Sequence, residues 1–399
     1  MISFCIRGLL NCMYSLTDYG QMIADRVRMD PYALALKAVI TNESVVLDLG
    51  AATGIHSLLA CKFGARKVYA LEPNDAIHLA RKLAQINGFS DRIDFIQDSS
   101  TNVTLPEKVD LIVSDLRGVL PLFGLHIPTI IDARERHLAP GGVLIPRRDT
   151  LWAALVEVPY LYKELIEPWD FPYGFSMAPA KELALSNWSD FDSKTTQSRN
   201  LLTEPQRWAE LDYTTIGDSN VFSQELNQET IRKGTAHGWL VWFDCELSDG
   251  IGFSNGPHER RVATVYGRAF FPLLEPVKVA MGDSVALEIQ ARLKGDEYIW
   301  QWQTHFLVSD SGNRIKKHFD QSTADTELSG IYSRDSEIAH LRPTSTEAGE
   351  LDRLILSLLD GNNTIEQIVQ QAITSFPSRF DDFADAASYV YDLSRQYAI

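Results

Sequence analysis

The stretch Val45-Val-Leu-Asp-Leu-Gly-Ala-Ala-Thr-Gly54 decides the fold of this chain. It is an apolar run, interrupted only by Asp48, that ends in a turn carrying Gly50 and Gly54 and is followed by a helical pattern. This order of strand, glycine turn and helix predicts the start of a doubly wound sheet, where a ligand lies against the N-terminus of the helix. Eighteen residues after Gly54, a second apolar strand ends in Glu72, whose carboxylate can accept hydrogen bonds from both hydroxyls of an adenosine ribose.

The glycine turn is typical of a nucleoside ligand without a pyrophosphate. It has the spacing G-x-x-x-G, and Ala51 and Ala52 leave less room than the glycines of a dinucleotide site. A ligand with a ribose but no phosphate fits better, which favours S-adenosylmethionine. The alternative is a structural turn that binds nothing, but the common register of Asp48, Gly50 and Glu72 favours a binding site.

Length and charge restrict the classes of function. At 399 residues the chain is long enough for two or three domains, and 45% hydrophobic residues are usual for a globular protein. A net charge of −16 repels nucleic acid, and no apolar run is long enough to cross a membrane. The four cysteines show no metal-ligand spacing, and Met1–Met13 makes only a weak signal peptide. We therefore expect a cytoplasmic protein without a metal site that binds neither nucleic acid nor membrane.

The first half of the chain divides into a helical and an α/β segment. Residues 1–40 contain apolar residues at helical spacing from about Tyr14 to Val39. Residues 41–147 alternate strands and helices, which predicts a Rossmann-like domain with a mainly parallel sheet. The predicted strands are Val45–Leu49, Lys67–Leu71, Ile93–Gln97, Val109–Ser114 and Val143–Pro146, and a helix over Ile127–His137 precedes the last.

The pattern changes to β structure over residues 148–332. Runs rich in Trp, Tyr, Phe and Val with turn residues between them predict a β-sandwich or β-barrel. Between about residues 163 and 212, a polar segment that contains Pro and Trp is predicted to leave this barrel as an arm. The predicted strands are Thr150–Glu157, Gly234–Leu247, Arg261–Pro272, Ser284–Leu293 and Ile299–Val308.

Residues 338–399 are predicted to form a small helical, winged-helix-like domain. The predicted helices are Asp352–Leu359, Thr364–Ile373 and Phe383–Tyr397. Thr364 and Gln367 have the spacing of a capping box. From Asp335 onward there are 11 acidic and 4 basic side chains, so we expect contact with a protein or peptide rather than with DNA.

Taken in order, these segments resemble the protein arginine methyltransferases. The resemblance covers about residues 14–310, and its most specific part lies in the barrel. The motifs that carry it are Asp25-Arg-Val-Arg28 ahead of Tyr32, Ser114-Asp-Leu-Arg-Gly118, Leu138–Pro146, Tyr173–Met177, Trp242–Glu246 and Gly252–Pro257. It implies a methyltransferase that uses S-adenosylmethionine and a homodimer formed through the arm.

The resemblance also implies individual contacts to the cofactor. Arg28 matches the residue that holds the cofactor's carboxylate, and Met22 lies ahead of it in the segment that resembles the family's N-terminal helix. Tyr14 and Tyr19 could cover the cofactor; alternatively, they form the apolar face of that helix. Thr101 lies near the position of an adenine-contacting acid, although Asp98 or Ser100 could serve instead. The predicted cofactor site is therefore Tyr14, Met22, Arg28, Asp48, Gly50, Gly54, Glu72 and Thr101.

The acceptor loop departs from the family. The family clamps a guanidinium between two glutamates of one loop, because two carboxylates match its fork of donors. Here the first position is Asp115, one methylene shorter, the second falls at Gly124, and Arg117 adds a cation between them. The family's Thr-His-Trp loop corresponds to Thr264-Val-Tyr266, without the imidazole. We therefore expect arginine to be a poor substrate unless acids come from elsewhere in the chain.

Asp115 and Arg117 are the predicted catalytic residues. Methyl transfer is a one-step displacement that needs an aligned lone pair and, usually, a base for the proton. Asp115 follows the buried-looking strand Val109–Ser114 and is predicted to orient or deprotonate the nucleophile; alternatively, it only caps the next turn. Arg117 is predicted to hold a carboxylate of the substrate; alternatively, it is a solvated surface residue.

The C-terminal domain resembles the PqqD-type domains that bind leader peptides of ribosomally made natural products. Leu341-Arg-Pro343, Leu354–Leu359, Thr364–Ile368 and Phe376-Pro377 carry this resemblance, and a structural cap is the alternative. We expect a methyltransferase that modifies a peptide or small-molecule natural product at N or O. Two alternatives stay open: methylation of arginine with acids from elsewhere, and a catalytically silent scaffold that keeps the fold.

Overall fold

The structure is a computed structural model that describes residues 14–217, 219–308, 314–326, 347–377, 379–380 and 382–397. The chain divides into two compact units, Met1–Ile331 and Tyr332–Ile399. The segment Met1–Met13 and the motif Leu341-Arg-Pro343 lie outside the described residues. Within the described ranges, no helix combines the length and apolar character that a bilayer crossing requires.

The N-terminal segment consists of two helices, α1 (Leu16–Ala24) and α2 (Arg26–Val39), where the sequence predicted one. Asp25 causes the break. Its extended backbone ends α1, and its side chain accepts hydrogen bonds from the N–H groups of Val27 and Arg28. Those two donors have no partner within a helix, so the aspartate stabilises the start of α2. As a result, Arg28 enters the site from the first turn of a new helix.

A five-stranded parallel sheet forms the domain that follows. Its strands are β1 (Val45–Leu49), β2 (Lys67–Leu71), β3 (Ile93–Ile96), β4 (Val109–Ser114) and β5 (Leu138–Ile145), and its helices are α3 (Ile55–Lys62), α4 (Ala76–Ile86) and α5 (His126–His137). The strand order is β3-β2-β1-β4-β5, with every pair parallel. The carboxyl ends of β1, β2 and β4 meet at one edge, at the position where such sheets bind ligands.

Two antiparallel sheets form the second domain. Its strands are β6 (Arg148–Val156), β7 (Ser189–Phe191), β8 (Gln206–Asp212), β9 (Val221–Glu229), β10 (Gly234–Ser248), β11 (Ile251–Ser254), β12 (Arg268–Val279), β13 (Ser284–Lys294), β14 (Glu297–Val308) and β15 (Arg314–Ser322). One sheet has the order β7-β12-β10-β6-β8, with β11 paired to β10, and the other has the order β15-β14-β13-β9. The predicted strand Arg261–Pro272 begins only at Arg268, because residues 261–267 form a loop that carries Tyr266 to the first domain.

The two domains share one hydrophobic core. Leu49 and Leu111 of the parallel sheet belong to the same buried cluster as Val241 and Phe243 of β10. Trp239, Trp300 and Trp302 fill the space between the two antiparallel sheets. A continuous core holds the parallel sheet and the β-barrel-like domain at a fixed separation, so side chains from both can build one site.

An arm with two helices, α6 (Pro159–Ile166) and α7 (Ala178–Leu185), lies between β6 and β8. The predicted arm extends to residue 212, but Gln206–Asp212 is strand β8 and pairs with β6. Phe171, Tyr173 and Phe175, between the two helices, have exposed fractions of 71%, 100% and 70%. Phe171 and Tyr173 also have left-handed backbones, with φ of 50° and 54°, which costs energy for aromatic residues.

The second unit is helical over its described residues, with α8 (Glu347–Leu358), α9 (Ile365–Ser375) and α10 (Phe383–Tyr397). It has a hydrophobic core of its own, which includes Leu351, Ile368 and Val390. The predicted capping box is confirmed: Thr364 Oγ1 accepts from Gln367 N at 3.3 Å, and Thr364 N donates to Gln367 Oε1 at 2.8 Å.

Candidate active site

The turn after β1 is held by hydrogen bonds to β2 and to Glu72. The N–H groups of Gly50 and Ala51 both donate to the last carbonyl oxygen of β2 at 2.9 Å. Gly50 and Gly54 have φ of 74° and 81°, a left-handed conformation that glycine adopts without steric cost. Ala52 is left-handed too, with φ of 49°, and its N–H donates to Glu72 Oε2 at 2.9 Å. The ends of β1 and β2 are therefore joined through one buried carboxylate.

Leu116 packs directly against this turn. A Cβ atom placed on Gly50 would lie 2.4 Å from Leu116 Cδ2, a distance that two carbon atoms cannot share. A Cβ atom on Gly54 would lie 3.0 Å from Ala80 Cβ on α4. Glycine at position 50 thus allows the loop after β4 to lie on the cofactor turn, and glycine at position 54 allows α4 to approach it.

Glu72 is buried at the end of β2. Its Oε1 accepts from Asn74 N at 2.9 Å and from Asn74 Nδ2 at 2.8 Å. Its Oε2 accepts one hydrogen bond, from Ala52, so among the described residues it keeps capacity for a second donor. Burial, followed by the charge of Glu72, raises the pKa of Tyr19 on α1 to about 12. Glu72 therefore lies near α1 and can still receive a hydrogen bond from a ligand.

A cavity of about 190 Å³ lies between α1 and the loops after β1 and β2. Tyr14 and Tyr19 line it on the helix side, and Thr53 and Asn74 line it on the sheet side. The two tyrosine rings meet edge to face with centroids 5.9 Å apart. Tyr14, one of the predicted cofactor residues, therefore faces the same space as the loop that positions Glu72.

Asp48 and His56 lie side by side behind the turn. Asp48 Oδ2 accepts from the N–H of Ser57 at 2.8 Å and from its hydroxyl at 2.6 Å. Asp48 Oδ1 lies 3.9 Å from His56 Nδ1, and burial raises the pKa of Asp48 to about 6. Burial also lowers the pKa of His56 to about 3, so its ring is neutral, and it stacks on Tyr32 with centroids 4.7 Å apart. The stack connects the cofactor side of the site with its acceptor side.

Arg28 reaches the site from the first turn of α2. Its Nε donates to Asp115 Oδ2 at 2.5 Å and to the hydroxyl of Tyr266 at 3.1 Å. Its Nη1 donates to the carbonyl oxygen of Met22 at 3.1 Å and lies 2.9 Å from Met29 Sδ. Its Nη2 has no hydrogen-bond partner in the part of the chain that the structure describes. This end of the guanidinium can receive an anion such as the carboxylate of a cofactor.

Asp115 follows β4 and accepts hydrogen bonds from three side chains. Arg28 and Tyr266 donate to Oδ2 at 2.5 and 2.6 Å, and Arg117 Nε donates to Oδ1 at 3.1 Å. Burial acts to raise the pKa of Asp115, but the charges of Arg28 and Arg117 outweigh it and hold this pKa well below its usual range. A carboxylate that stays ionised so firmly can orient a nucleophile but is a poor general base.

Arg117 points into the boundary between the two domains, and its side chain is fully buried. Its Nη1 donates to Asp149 Oδ1 at 3.0 Å and lies 2.8 Å from Cys245 Sγ, and its Nη2 donates to the hydroxyl of Tyr32. Burial acts to lower the pKa of Arg117, but Asp149 and Cys245 raise it well above its usual value. The interpretation as a surface residue is wrong. The predicted contact with a substrate carboxylate would require Arg117 to give up partners within the protein.

Two other predicted positions lie outside this cluster of charges. Gly124 lies near the turn between β13 and β14, where a Cβ atom would be 3.9 Å from the carbonyl oxygen of Asp296. Thr101 is exposed in the short helical turn Ser100–Asn102, and its hydroxyl lies 3.1 Å from that of Ser99. A contact between Thr101 and adenine stays a prediction.

The sequence did not predict Asp149 as part of the site. Asp149 is fully buried on β6 and accepts from the hydroxyl of Tyr213 at 2.5 Å as well as from Arg117. Its signal in the sequence was an aspartate at the start of an otherwise apolar strand. Its partners come from distant segments, since Arg117 is 32 and Tyr213 is 64 residues away along the chain. Only the tertiary structure shows that these three residues meet.

Two family profiles match the chain. One, described as ribosomal protein L11 methyltransferase (PrmA), matches residues 33–146, and one described as the arginine methyltransferase oligomerization subdomain matches residues 147–303. Protein arginine N-methyltransferase 1 of Schizosaccharomyces pombe is 34% identical over 249 residues, covering 61% of this chain and 72% of the relative. The chain belongs to the protein arginine methyltransferase family. A probable protein arginine N-methyltransferase 6 of Arabidopsis thaliana is 32% identical over 242 residues, or 58% of this chain and 54% of that relative.

Solved structures of protein arginine methyltransferases share the fold. A Trypanosoma brucei PRMT1 enzyme–prozyme heterotetrameric complex with AdoHcy has a TM-score of 0.69 at 23% identity, covering 76% of this chain and 96% of that chain. Arabidopsis thaliana protein arginine methyltransferase 10 has a TM-score of 0.67 at 25% identity, covering 77% and 97%. The predicted combination of a Rossmann-like cofactor domain and a β-barrel-like domain is confirmed.

Membership of the protein arginine methyltransferase family makes the chain an S-adenosylmethionine-dependent methyltransferase, which confirms the predicted enzyme class and cofactor. The side chains present fit this cofactor. Glu72 keeps a lone pair for a ribose hydroxyl, and Nη2 of Arg28 has no hydrogen-bond partner among the described residues. The cavity that Asn74, the partner of Glu72, helps to line also carries Tyr14 and Tyr19, which suits the apolar part of a nucleoside.

Proposed function

We propose that the chain methylates a nitrogen or oxygen nucleophile of a peptide or small-molecule natural product, in preference to a cationic guanidinium. The observation that supports this is the sharing of Asp115 by two buried guanidiniums, those of Arg28 and Arg117. A cationic acceptor is stabilised by a carboxylate whose charge is not already compensated. Asp115 has two cationic partners within the protein, and Gly124 provides no second acid.

The roles of the residues follow from their positions. When bound, S-adenosylmethionine supplies an electrophilic methyl group, which a lone pair of the acceptor attacks while the sulfur leaves as a thioether. Glu72 and the turn at Gly50 would hold the ribose, and Nη2 of Arg28 would hold the carboxylate. Asp115 would align the acceptor by accepting a hydrogen bond from it. Since Asp115 is a poor base, the proton of the acceptor would pass to water.

A panel of peptides tests the acceptor. The purified chain is incubated with S-adenosylmethionine and with peptides that differ at one position, which is arginine, lysine, serine or aspartate. Mass spectrometry then shows which peptide gains one methyl group. We expect transfer to an acceptor that carries an uncharged N–H or O–H group and little to arginine. Transfer to the arginine peptide alone would contradict the proposal.

Methylation of arginine is the second candidate. The relatives with 34% and 32% identity are both named protein arginine N-methyltransferases, which favours it. The structure also contains a second acid, Asp149, on the far side of Arg117 from Asp115. Such an activity would need Arg117 to move away, and the same peptide panel distinguishes it.

We propose that the C-terminal unit recognises a peptide, as the PqqD-type domains that it resembles do. Its described helices form a separate core, and Ile365, Phe383 and Tyr391 remain exposed, at 47%, 46% and 56%, on its surface. Truncation after Ile331 tests this role: KM for a peptide substrate should rise at least tenfold with kcat unchanged. An unchanged KM would leave the unit as a structural cap.

We propose that the chain forms homodimers through its arm. The arm lies within the region matched by the oligomerization profile, and it exposes Phe171, Tyr173 and Phe175 together. Exposed aromatic side chains of this number mark contact surfaces. Light scattering of the full chain should give twice the mass of one chain, and replacement of the three aromatics by serine should give the monomer. A wild-type monomer at micromolar concentration would contradict the proposal.

A further inference from the structure

The surroundings of Arg117 provide every element that recognises a guanidinium. Asp115 Oδ1 accepts from its Nε at 3.1 Å, and Asp149 Oδ1 accepts from its Nη1 at 3.0 Å. The hydroxyl of Tyr32 accepts from its Nη2. Carboxylates on two sides of the planar fork are the arrangement that distinguishes a guanidinium from an ammonium ion.

Four aromatic rings, those of Tyr32, Phe243, Phe253 and Tyr266, surround the guanidinium. We call these rings, together with Asp115 and Asp149, the chamber. Arg117 Cζ lies 5.9 Å from the ring centroid of Tyr32, 5.5 Å from those of Phe243 and Phe253, and 5.6 Å from that of Tyr266. Each of these distances is within the range of a cation–π contact, and each ring is buried, so the attraction is little screened by water.

A buried arginine of the β-barrel-like domain, Arg268, has a different environment. Arg268 donates to the carbonyl oxygens of Asn255, Gly256 and Thr196 and to the hydroxyl of Thr196, with no carboxylate among these partners. Burial lowers the pKa of Arg268 to about 10, in contrast to the rise at Arg117. A buried arginine can therefore be accommodated in this fold without two carboxylates and a set of rings. The carboxylates and rings around Arg117 are thus additional to what burial of Arg268 requires.

The position of the chamber relates it to the acceptor. Asp115 is the acid that follows β4 at the ligand-binding edge of the parallel sheet, and its Oδ2 contacts Arg28, the proposed ligand of the cofactor. A guanidinium that reaches Asp115 Oδ1 therefore occupies the space where an acceptor would meet this acid. Arg117 takes that space in the structure.

We propose that Asp115, Asp149 and the four surrounding rings form a guanidinium-binding site, that the chain fills this site with its own Arg117, and that this occupation excludes an acceptor arginine. The exclusion rests on the proposed role of Asp115 toward the acceptor. The existence of the guanidinium site does not, since it can be measured without methyl transfer.

Chemical complementation of Arg117→Ala tests the site. Removing the side chain leaves Asp149 without its cation, so the variant should unfold at a lower temperature than the wild type. Methylguanidinium at about ten times its Kd should raise the unfolding temperature of the variant by about 2–4 °C and leave that of the wild type unchanged. Neutral methylurea has a similar shape and should have no effect. The double variant Arg117→Ala/Asp149→Asn should not respond to methylguanidinium.

The results expected with and without a guanidinium site differ. Equal effects of methylguanidinium and methylurea, or no effect of either on the variant, would overturn the site. If Arg117→Ala does not fold alone, the comparison is made during refolding, and recovery of folded protein only with methylguanidinium supports the site. Failure to recover with either compound counts against it.

The exclusion is tested with the acceptor peptides. In Arg117→Ala, the ratio of methylated arginine peptide to methylated serine peptide should rise at least tenfold over that of the wild type. An unchanged ratio, with the effect of methylguanidinium present, would overturn the exclusion alone. Absence of transfer to every peptide by the wild type would count against the proposed function and leave the stability measurement valid.

Discussion

Asp48 and Glu72, on the cofactor side of the site, accept hydrogen bonds from backbone N–H groups and uncharged side chains, whereas Asp115 and Asp149, on the acceptor side, are paired with buried guanidiniums. The first pair shapes a turn and leaves room for a neutral ribose. The second pair has its charge compensated within the protein. Carboxylates around one site therefore serve opposite purposes, depending on which donors the rest of the chain brings to them.

Substitutions on the acceptor side are expected to lower the free energy of unfolding more than substitutions on the cofactor side. Asp149→Ala leaves the guanidinium of Arg117 with one carboxylate instead of two and should lower the free energy of unfolding by about 3–5 kcal/mol. Urea unfolding followed by tryptophan fluorescence measures this, since all eight tryptophans lie before residue 303 and report on the first unit. The matched control is Arg117→Met/Asp149→Ala, which removes both charges and should recover most of the loss. A loss below about 1 kcal/mol for the single variant would show that the ion pair of Arg117 and Asp149 contributes no more than an exposed pair does.

Asp115→Asn should reduce turnover by a factor of about 10² and change the affinity for S-adenosylmethionine much less, because the carboxylate meets the acceptor directly and the cofactor only through Arg28. The pKa of Asp115 lies well below its usual value, so this group stays ionised as pH falls from 9 to 5. The wild type should accordingly show no acid limb from Asp115 in kcat over this range. An ionisation near neutral pH that disappears in Asp115→Asn would refute the assignment. Asp91→Asn, at an exposed position, is the control.

Glu72→Gln should affect the cofactor side selectively. The amide cannot accept from Ala52, Asn74 and a ribose as the carboxylate does, so the Kd for S-adenosylmethionine should rise about tenfold or more. Calorimetric titration measures this change, and Glu164→Gln on the exposed face of α6 is the matched control. An unchanged Kd would remove Glu72 from the cofactor site, and an equal rise of Kd in Glu164→Gln would show that the effect is not specific to Glu72.

His56→Leu should change how stability depends on pH. The folded protein holds His56 neutral, with a pKa of about 3, whereas the unfolded chain binds a proton below its ordinary pKa of 6.5. The wild type therefore loses about 1.4 kcal/mol through this group as pH falls from 8 to 5.5, and the variant does not. Asp48, with a raised pKa of about 6, acts in the opposite direction in both proteins. Parallel pH profiles of wild type and variant would contradict a neutral buried His56.

The cofactor side was largely predictable, because its signal is local. The run Val45–Gly54 specifies strand β1 and the turn after it. Glu72, which follows β2, is the hydrogen-bond partner of Ala52 in that turn, so strand, turn and partner all follow from short stretches of sequence. The break at Asp25 was also encoded locally, by an aspartate placed to cap the next helix, but the continuous apolar pattern concealed it. The acceptor side was less predictable. Asp115 was found at the end of β4, whereas the burial of Arg117 depends on Asp149 and Tyr213, and their approach depends on how the antiparallel sheets close.

The contact between Leu116 and Gly50 has a kinetic consequence. The backbone after β1 and the loop after β4 touch with no space for even a methyl group between them, so neither can shift without displacing the other. A methyl donor that holds the turn after β1 in one position therefore also fixes Asp115 and Arg117, the residues on either side of Leu116. We therefore expect a compulsory order of addition, with the methyl donor entering before the acceptor and S-adenosylhomocysteine departing last. Product inhibition by S-adenosylhomocysteine should then be competitive against the donor and noncompetitive against the acceptor, and Leu116→Ala should loosen that order.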